Sequence, residues 1–196
     1  MDLNLSGRRA LVTGASTGLG KSTALALAQE GAEVAIASRS QEKLAVAKSE
    51  IISLVPSALV HIIPTDVTSN EEVASMAATA EDVMGGVDIL IANAGGPPPG
   101  NFASTSLDAY SEALQLNLVS TVAMCSALVP AMQQRKWGRV VAITSLSVRE
   151  PIGTLILSNT ARAGVTGFLK TLAREVASDG VTVNSLQPGL HRTPRL

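Results

Sequence analysis

The residues with the clearest chemical reading are Thr13-Gly14-Ala15-Ser16-Thr17-Gly18-Leu19-Gly20. They follow the apolar run Ala10-Leu11-Val12 and lead into the alanine- and leucine-rich segment Lys21–Ala28. A strand, a glycine turn and a helix in that order make a cradle for a dinucleotide pyrophosphate. Glycines let the backbone approach the phosphates, and the helix N-terminus offers free N–H groups and the positive end of its dipole. The spacing is Gly-x-x-x-Gly-x-Gly rather than Gly-x-Gly-x-x-Gly, so its place after the first strand matters as much as the glycines; the plain alternative is a tight strand-to-helix connection. The end of the second strand bears on which dinucleotide fits. A ribose 2′-hydroxyl wants a carboxylate roughly 20 residues beyond the glycines, whereas a 2′-phosphate wants a cation. The segment Ala35-Ile36-Ala37-Ser38-Arg39-Ser40 carries no acid and one arginine. Arg39 can form charge-assisted, bidentate bonds to a phosphate and Ser38 can add a hydroxyl, which favours NADP(H) over NAD(H). The competing reading of Arg39 is an exposed arginine on a surface loop.

The elements that must position these groups read as a strict alternation. Strands are expected at Arg9–Thr13, Glu33–Ala37, Leu59–Ile63, Val87–Ile91, Arg139–Thr144 and Val181–Leu186, with helices at Gly18–Gln29, Gln41–Leu54, Asn70–Met84, Leu107–Arg135 and Leu155–Ser178. Such alternation predicts an α/β fold, a Rossmann-like doubly wound parallel sheet covered on both faces. The length of 196 residues fits a single domain, and 46% hydrophobic against 16% charged residues predicts many strands buried on both sides. Gly31 should stop the first helix, and Thr68-x-x-Glu71 or Ser69-x-x-Glu72 should cap the third. Pro130 should kink or end the fourth. Gly95-Gly96-Pro97-Pro98-Pro99-Gly100 reads as a rigid surface loop, because the alternation resumes after it.

A net charge of −1, with small basic groups such as Arg135-Lys136, Arg192 and Arg195 too sparse for a binding stripe, argues against a nucleic-acid partner. The start lacks signal-peptide features, and no uninterrupted apolar run looks long enough to cross a membrane, so a cytoplasmic protein is expected. Cys125, in an apolar helical setting, reads as a packed thiol, and His61 as strand-end structure. The sequence stops in a loop after Val181–Leu186. The expectation is a domain spanning 1–196 that lacks a last strand and helix, through truncation or because a partner covers the edge.

Four spaced motifs, Thr13-Gly14-x-x-x-Gly18-x-Gly20, Asp66-Val67, Asn93-Ala94-Gly95 and Pro188-Gly189 followed by Thr193, make the chain resemble the short-chain dehydrogenase/reductase family over essentially its whole length. Asn117 in Leu116-Asn117-Leu118 and Ser145 in Ile143-Thr144-Ser145 match two further family positions, and Thr166–Glu175 looks most like the 3-oxoacyl-[acyl-carrier-protein] reductases. The resemblance implies that Gly14, Ser16, Gly18 and Leu19, with Thr17 and Gly20 of the same turn, line the phosphates. It places Asp66 and Val67 at the adenine, Asn93, Ala94 and Gly95 at the cofactor ribose, and Pro188, Gly189 and Thr193 at the nicotinamide. Asp66 as a plain loop residue and Asn93 as a tie between strands are the structural alternatives. The resemblance also implies a small-molecule or carrier-bound carbonyl substrate. It further implies a homo-oligomer, dimer or tetramer, built on the two long helices, where Ala161, Ala163, Gly164 and Gly167 would permit close approach.

One departure matters for the chemistry. Where the family carries Tyr-x-x-x-Lys, the ungapped register between Arg139–Ser145 and Ala163–Glu175 puts Ser158 and Arg162, within Ser158-Asn159-Thr160-Ala161-Arg162. The only tyrosine, Tyr110, belongs to another helix and reads as packing. A carbonyl accepting hydride needs a proton or a strong hydrogen bond at its oxygen. A serine hydroxyl is a poorer and shorter acid than a phenol, and arginine holds its charge but relays protons badly. General acid catalysis contributes ~10²–10⁴-fold, or about 3–5 kcal/mol, so its loss would weaken a reductase without erasing it. Two outcomes stay open. Ser145, Ser158 and Arg162 form an altered oxyanion-binding set with Asn117 supporting a water chain, or the chain binds a dinucleotide without the chemistry. His191 is a minor candidate for a replacement acid, and Ser147, Arg149 and Glu150 are candidates for the pocket border.

Overall fold

The structure is a computed structural model describing residues 3–193 of the chain; the basic group at Arg195 lies outside the described residues. Six strands, β1 (Arg9–Thr13), β2 (Glu33–Ser38), β3 (Val60–Pro64), β4 (Ile89–Ala92), β5 (Gly138–Ile143) and β6 (Val181–Leu186), form one sheet in the order β3-β2-β1-β4-β5-β6. Every neighbouring pair is parallel, with β1 joined to β2 through Leu11↔Ala35 and to β4 through Leu11↔Leu90. Parallel strands need crossovers, and these are the helices α1 (Gly18–Gln29), α2 (Gln41–Leu54), α3 (Asn70–Met84), α4 (Leu107–Leu114), α5 (Ser120–Gln134) and α6 (Ile156–Val176).

The helices divide the core into two layers. Ala24 and Ala28 of α1 and Leu44, Ala47 and Ile51 of α2 pack with Val12 and Ile36 on one face. Met76 of α3, Met124 and Leu128 of α5 and Val165 and Leu169 of α6 pack with Leu11, Leu90 and Val140 on the other. The central strands are therefore continuous apolar runs without alternation. β6 differs: Val181 and Val183 are buried while Thr182, Asn184 and Leu186 are exposed, the alternation of a strand covered on one side. Strand order reverses between β1 and β4, and the crevice that opens beyond the carboxyl ends of the strands at such a switch point is where doubly wound sheets bind ligands.

Helices α1, α2 and α3 run between the expected residues, and the strands lie within two residues of theirs. Gly31, at φ +82°, follows α1 as expected. Of the two caps foreseen for α3, the structure uses Ser69, whose hydroxyl accepts from Glu72 N; the Glu72 carboxylate turns instead to Asp66 N, at 2.7 Å. The fourth helix is the correction. α4 passes into a π-helical turn, Gln115–Val119, before α5, and α5 then continues through Pro130 to Gln134. Pro130 and Ser126, whose carbonyl the proline ring leaves without a helical donor, both face outward where water can serve that carbonyl. The run Leu107–Gln134 is long and apolar enough to cross a membrane by length and composition, contrary to the sequence reading. In this fold it packs against α3 and α6 as a core element. Within it the Cys125 thiol is buried and desolvation pushes its pKa up to about 12, so it packs as expected.

The amino ends of the strands are tied by charge. Arg9 Nη2 and Nε meet the two Asp88 carboxylate oxygens at 2.7 and 2.9 Å, and Arg135 Nε lies 3.6 Å from the same carboxylate. Beside them the guanidinium groups of Arg8 and Arg139 stand 3.8 and 4.3 Å from the Trp137 ring centroid. His61, on β3, pairs with Glu33 at 2.7 Å.

Candidate functional site

The turn after β1 has the conformation its glycines allow. Gly14 and Gly18 lie at φ +57° and +58°, in the left-handed region. A side chain on Gly20 would come within 2.3 Å of the Gly14 carbonyl, so this glycine sets how closely α1 seats on the turn. Thr17, the residue before α1, gives no side-chain capping bond, leaving the first-turn amides to a ligand or water. Asn93 braces the turn from β4: Nδ2 donates to Gly14 O at 3.2 Å, N donates to Thr13 Oγ1 at 2.9 Å, and Thr13 Oγ1 donates to Asn93 O at 2.7 Å. The tie between strands weighed from the sequence is thus real, and the same segment, Asn93-Ala94-Gly95, still walls the cleft.

The crevice has two halves that share Gly14, Thr17, Asn93, Ala94 and Gly95. One, of about 1000 Å³, runs over β2 and β3 and is lined by Ser16, Ser38, Arg39, Asp66 and Val67, all expected there. It is also lined by residues the sequence reading missed: Ser40, Lys43, Thr65 and Thr68, and Ser111, Glu112, Gln115 and Leu116 on the opposite wall. Lys43 was legible in principle, since the first turn of the helix after β2 faces the same end of the sheet as Arg39. The α4 wall was not, because only the packing of α4 brings it across. The Ser38 hydroxyl is buried here with no hydrogen-bond partner among the described residues. Asp66 is largely committed to its own turn: Oδ1 accepts from Thr68 N at 3.0 Å and Thr68 Oγ1 at 2.8 Å. Those two bonds outweigh burial and, with the charge of Arg39, hold the carboxyl below the usual range.

The other half, of about 390 Å³, lies over β5 and β6. Gly18, Leu19, Ser145, Ser158, Arg162, Pro188, Gly189 and Thr193 line it, all singled out from the sequence, with Ile143, Thr144, Leu155, Leu190 and His191. Ser145, two residues beyond β5, is in extended conformation, and its Oγ accepts from Ser147 N at 3.1 Å, leaving the hydroxyl proton for another acceptor. Ser158 and Arg162, four residues apart on α6, are both buried and both reach the cleft, as that spacing predicts. Arg162 Nη1 donates to Ile143 O at 2.8 Å, which anchors the guanidinium at the end of β5.

Not every candidate reaches a wall. Gly20 is buried behind the turn, and Asn117 sits in the π-helical turn with Nδ2 donating to Gly95 O at 2.8 Å. Its Oδ1 is buried without a partner among the described residues, so Asn117 stands behind the cleft. Ser147 is buried beneath Ser145, and Arg149 is exposed and donates to Gln187 Oε1 at 3.0 Å; neither lines the cleft, nor does Glu150.

The residues present fit a dinucleotide. Two left-handed glycines, a third that admits no side chain, uncapped helix amides and an unpartnered buried hydroxyl beside two cations make a place for a pyrophosphate and a further anion. At the other end, the lining offers hydroxyls and a guanidinium, with no phenol, carboxylate or ammonium among the described residues. Such a set can stabilise a negative oxygen and is poorly equipped to hand it a proton.

Comparisons with known proteins agree with this geometry. Residues 8–196 match the short chain dehydrogenase family model. An uncharacterized oxidoreductase of Staphylococcus aureus strain USA300 is 31% identical over 186 residues, covering 95% of this chain and 79% of that protein. The L-sorbose reductase of Gluconobacter frateurii, complexed with NADPH and L-sorbose, superposes with a TM-score of 0.95 at 30% identity, over 100% of this chain and 74% of that one. An NADPH-bound short chain oxidoreductase of Pseudomonas aeruginosa PAO1, described as containing an atypical catalytic center, gives a TM-score of 0.90 at 33% identity, over 95% and 72%. With the parallel sheet, the glycine turn at its switch point and a family match across nearly all of its length, the chain belongs to the short-chain dehydrogenase/reductase family.

Proposed function

We propose that this protein is an NADP(H)-dependent oxidoreductase that interconverts a carbonyl and an alcohol on a small or carrier-bound substrate, working as a homo-oligomer. The observation that carries the cofactor choice is the end of β2. Arg39 and Lys43 share the cleft wall with Ser38 and Ser40, and no carboxylate stands at the strand end where a 2′-hydroxyl would need one. Asp66, the nearby acid, already holds Thr68. Two cations and hydroxyls suit a 2′-phosphate.

In this reading the α1 amides and the glycine turn hold the pyrophosphate, and Asp66 and Val67 border the adenine. Pro188, Gly189 and Thr193 close over the nicotinamide side, which supplies hydride when the reduced dinucleotide is bound. Ser145 donates its hydroxyl proton in a hydrogen bond to the substrate oxygen. Arg162 contributes a fixed positive charge and Ser158 a second hydroxyl, while Asn117 holds the Gly95 backbone from behind. The test is calorimetric titration with NADPH and then NADH. NADPH binding well ahead of NADH is expected; binding of neither by a demonstrably folded protein removes the reading.

A second reading has its own observation. Because the family register puts Ser158 and Arg162 where tyrosine and lysine would stand, and both line the cleft, the same cleft also suits a dinucleotide-binding homologue with impaired carbonyl chemistry. NADPH binding without turnover, with turnover restored by the joint change Ser158→Tyr and Arg162→Lys, would select it.

A further inference from the structure

The smaller half of the cleft pairs a buried guanidinium with two serine hydroxyls and, among the described lining residues, no group suited to delivering a proton except the exposed His191 imidazole. With only that exposed imidazole to supply a proton, the lining best suits an acceptor that can leave hydride transfer as an anion. A saturated ketone becomes an alkoxide, a strong base that needs a proton as it forms. An iminium acceptor needs none, but it is a cation and Arg162 repels it. A conjugated carbonyl lies between: hydride at the carbon β to the carbonyl leaves an enolate, a much weaker base whose charge rests on oxygen. Preorganised donors aimed at that oxygen stabilise such a charge. Alcohol oxidation is served poorly as well, since neither serine nor guanidinium takes up a proton and only the exposed His191 imidazole remains.

We propose that Ser145, Ser158 and Arg162 form a site for delocalised oxyanions, and that the protein's preferred acceptors are α,β-unsaturated carbonyl compounds reduced at the C=C bond. The proposal rests on the dinucleotide reading above for its hydride source and adds a second reaction to it. Hydride from the reduced dinucleotide forms a C–H bond at the β-carbon, and the C=C pair moves to give the enolate. Water then protonates the α-carbon and leaves hydroxide. The dinucleotide loses two electrons and the enone gains two. Arg162, buried on α6 and anchored to Ile143 O, lines this half of the cleft and would bring its guanidinium to that oxygen.

The first test needs no turnover. 4-Nitrophenol, a delocalised oxyanion once ionised, is titrated spectrophotometrically in the presence of the full chain. The expected result is a phenolate bound at least tenfold more tightly than the phenol, seen as a lowered apparent pKa of the bound dye. Arg162→Met should abolish that preference and Arg162→Lys should retain most of it, each with an unchanged circular dichroism spectrum. Equal binding of the two forms, no binding, or an Arg162→Met protein that folds and keeps the preference would overturn the proposal. The second test supplies NADPH with 2-cyclohexenone or cyclohexanone. The enone should react at least tenfold faster and yield cyclohexanone. Equal rates, or 2-cyclohexenol as product, would overturn it. A hundredfold loss of the enone rate in His191→Gln would make His191 the acid and remove the premise. Because the dye titration is read without dinucleotide, a chain that fails to bind NADPH but prefers the phenolate loses the reductase reading and keeps the oxyanion site.

Discussion

Two regions of the cleft are held by different means. The turn after β1, which both halves share through Gly14 and Thr17, presents backbone: glycines in left-handed conformation and uncapped helix amides. On the β5 side the chain relies on side chains carried by separate elements, with Ser145 just beyond a strand, Ser158 and Arg162 on α6, and Asn117 behind them in a π-helical turn. A backbone cradle tolerates most side-chain changes outside its glycines. A side-chain constellation changes its chemistry with each substitution, so a family can vary its reaction while keeping the cofactor seat. π-Helical turns are enriched at functional sites, and the one at Asn117 opens the helix beside Gly95, where the two halves meet.

The sharpest way to break this contrast is to replace the side chains proposed to act on the substrate and leave the cradle alone. Ser158→Tyr with Arg162→Lys is expected to raise kcat/KM on a saturated ketone by ~10²–10⁴-fold, the usual contribution of a positioned general acid, with NADPH affinity little changed; a steady-state comparison of the two proteins reads this. Next in size, Arg39→Gln should lose about 1.5–3 kcal/mol of charge-assisted hydrogen bonding, roughly 10- to 150-fold in NADPH affinity by calorimetry. NADH should be unaffected, and an equal loss for both would return Arg39 to a surface role. Gly20→Ala tests the cradle itself. Its new methyl meets the Gly14 carbonyl at 2.3 Å, and forcing a group into a packed contact costs about 1–3 kcal/mol. Urea denaturation should show that loss alongside weakened binding of both dinucleotides.

The smallest effect sharpens the contrast from outside the cleft. Burial pushes the Asp88 carboxyl up, but the hydrogen bonds and charge of Arg9, with the charge of Arg135, outweigh it and hold the group below the usual carboxylate range. A folded-state value below the unfolded one means the stabilisation is complete above about pH 4 and is lost as pH falls through the folded value. Asp88→Asn should therefore cost about 1–2 kcal/mol at pH 7, show a shallower loss of stability below pH 4, and leave dinucleotide selectivity untouched. Chemical denaturation across a pH series measures all but the last, which calorimetry reads.

Much of this was legible because the fold's signals are local. Gly31 ends α1, Ser69 caps α3, and unbroken apolar runs mark strands buried on both faces. The long fourth helix was misread at Pro130, because a proline on an outward face leaves its orphaned carbonyl to water, whereas the actual break at Gln115–Val119 carries no proline or glycine to announce it. Asn117 was recognisable only by resemblance, since a buried amide donating to Gly95 has no pattern in sequence.

By itself, then, the sequence determined the parallel sheet, the glycine turn and the charge at the end of β2, all set by residues close together along the chain. Tertiary structure alone decided that α4 closes the far wall over Arg39 and that Asn93 braces Gly14 across strands. It also decided that Arg162 is anchored to Ile143 beside Ser145. The last two contacts join residues 79 and 19 apart, and only the packing of helices against a completed sheet fixes such distances.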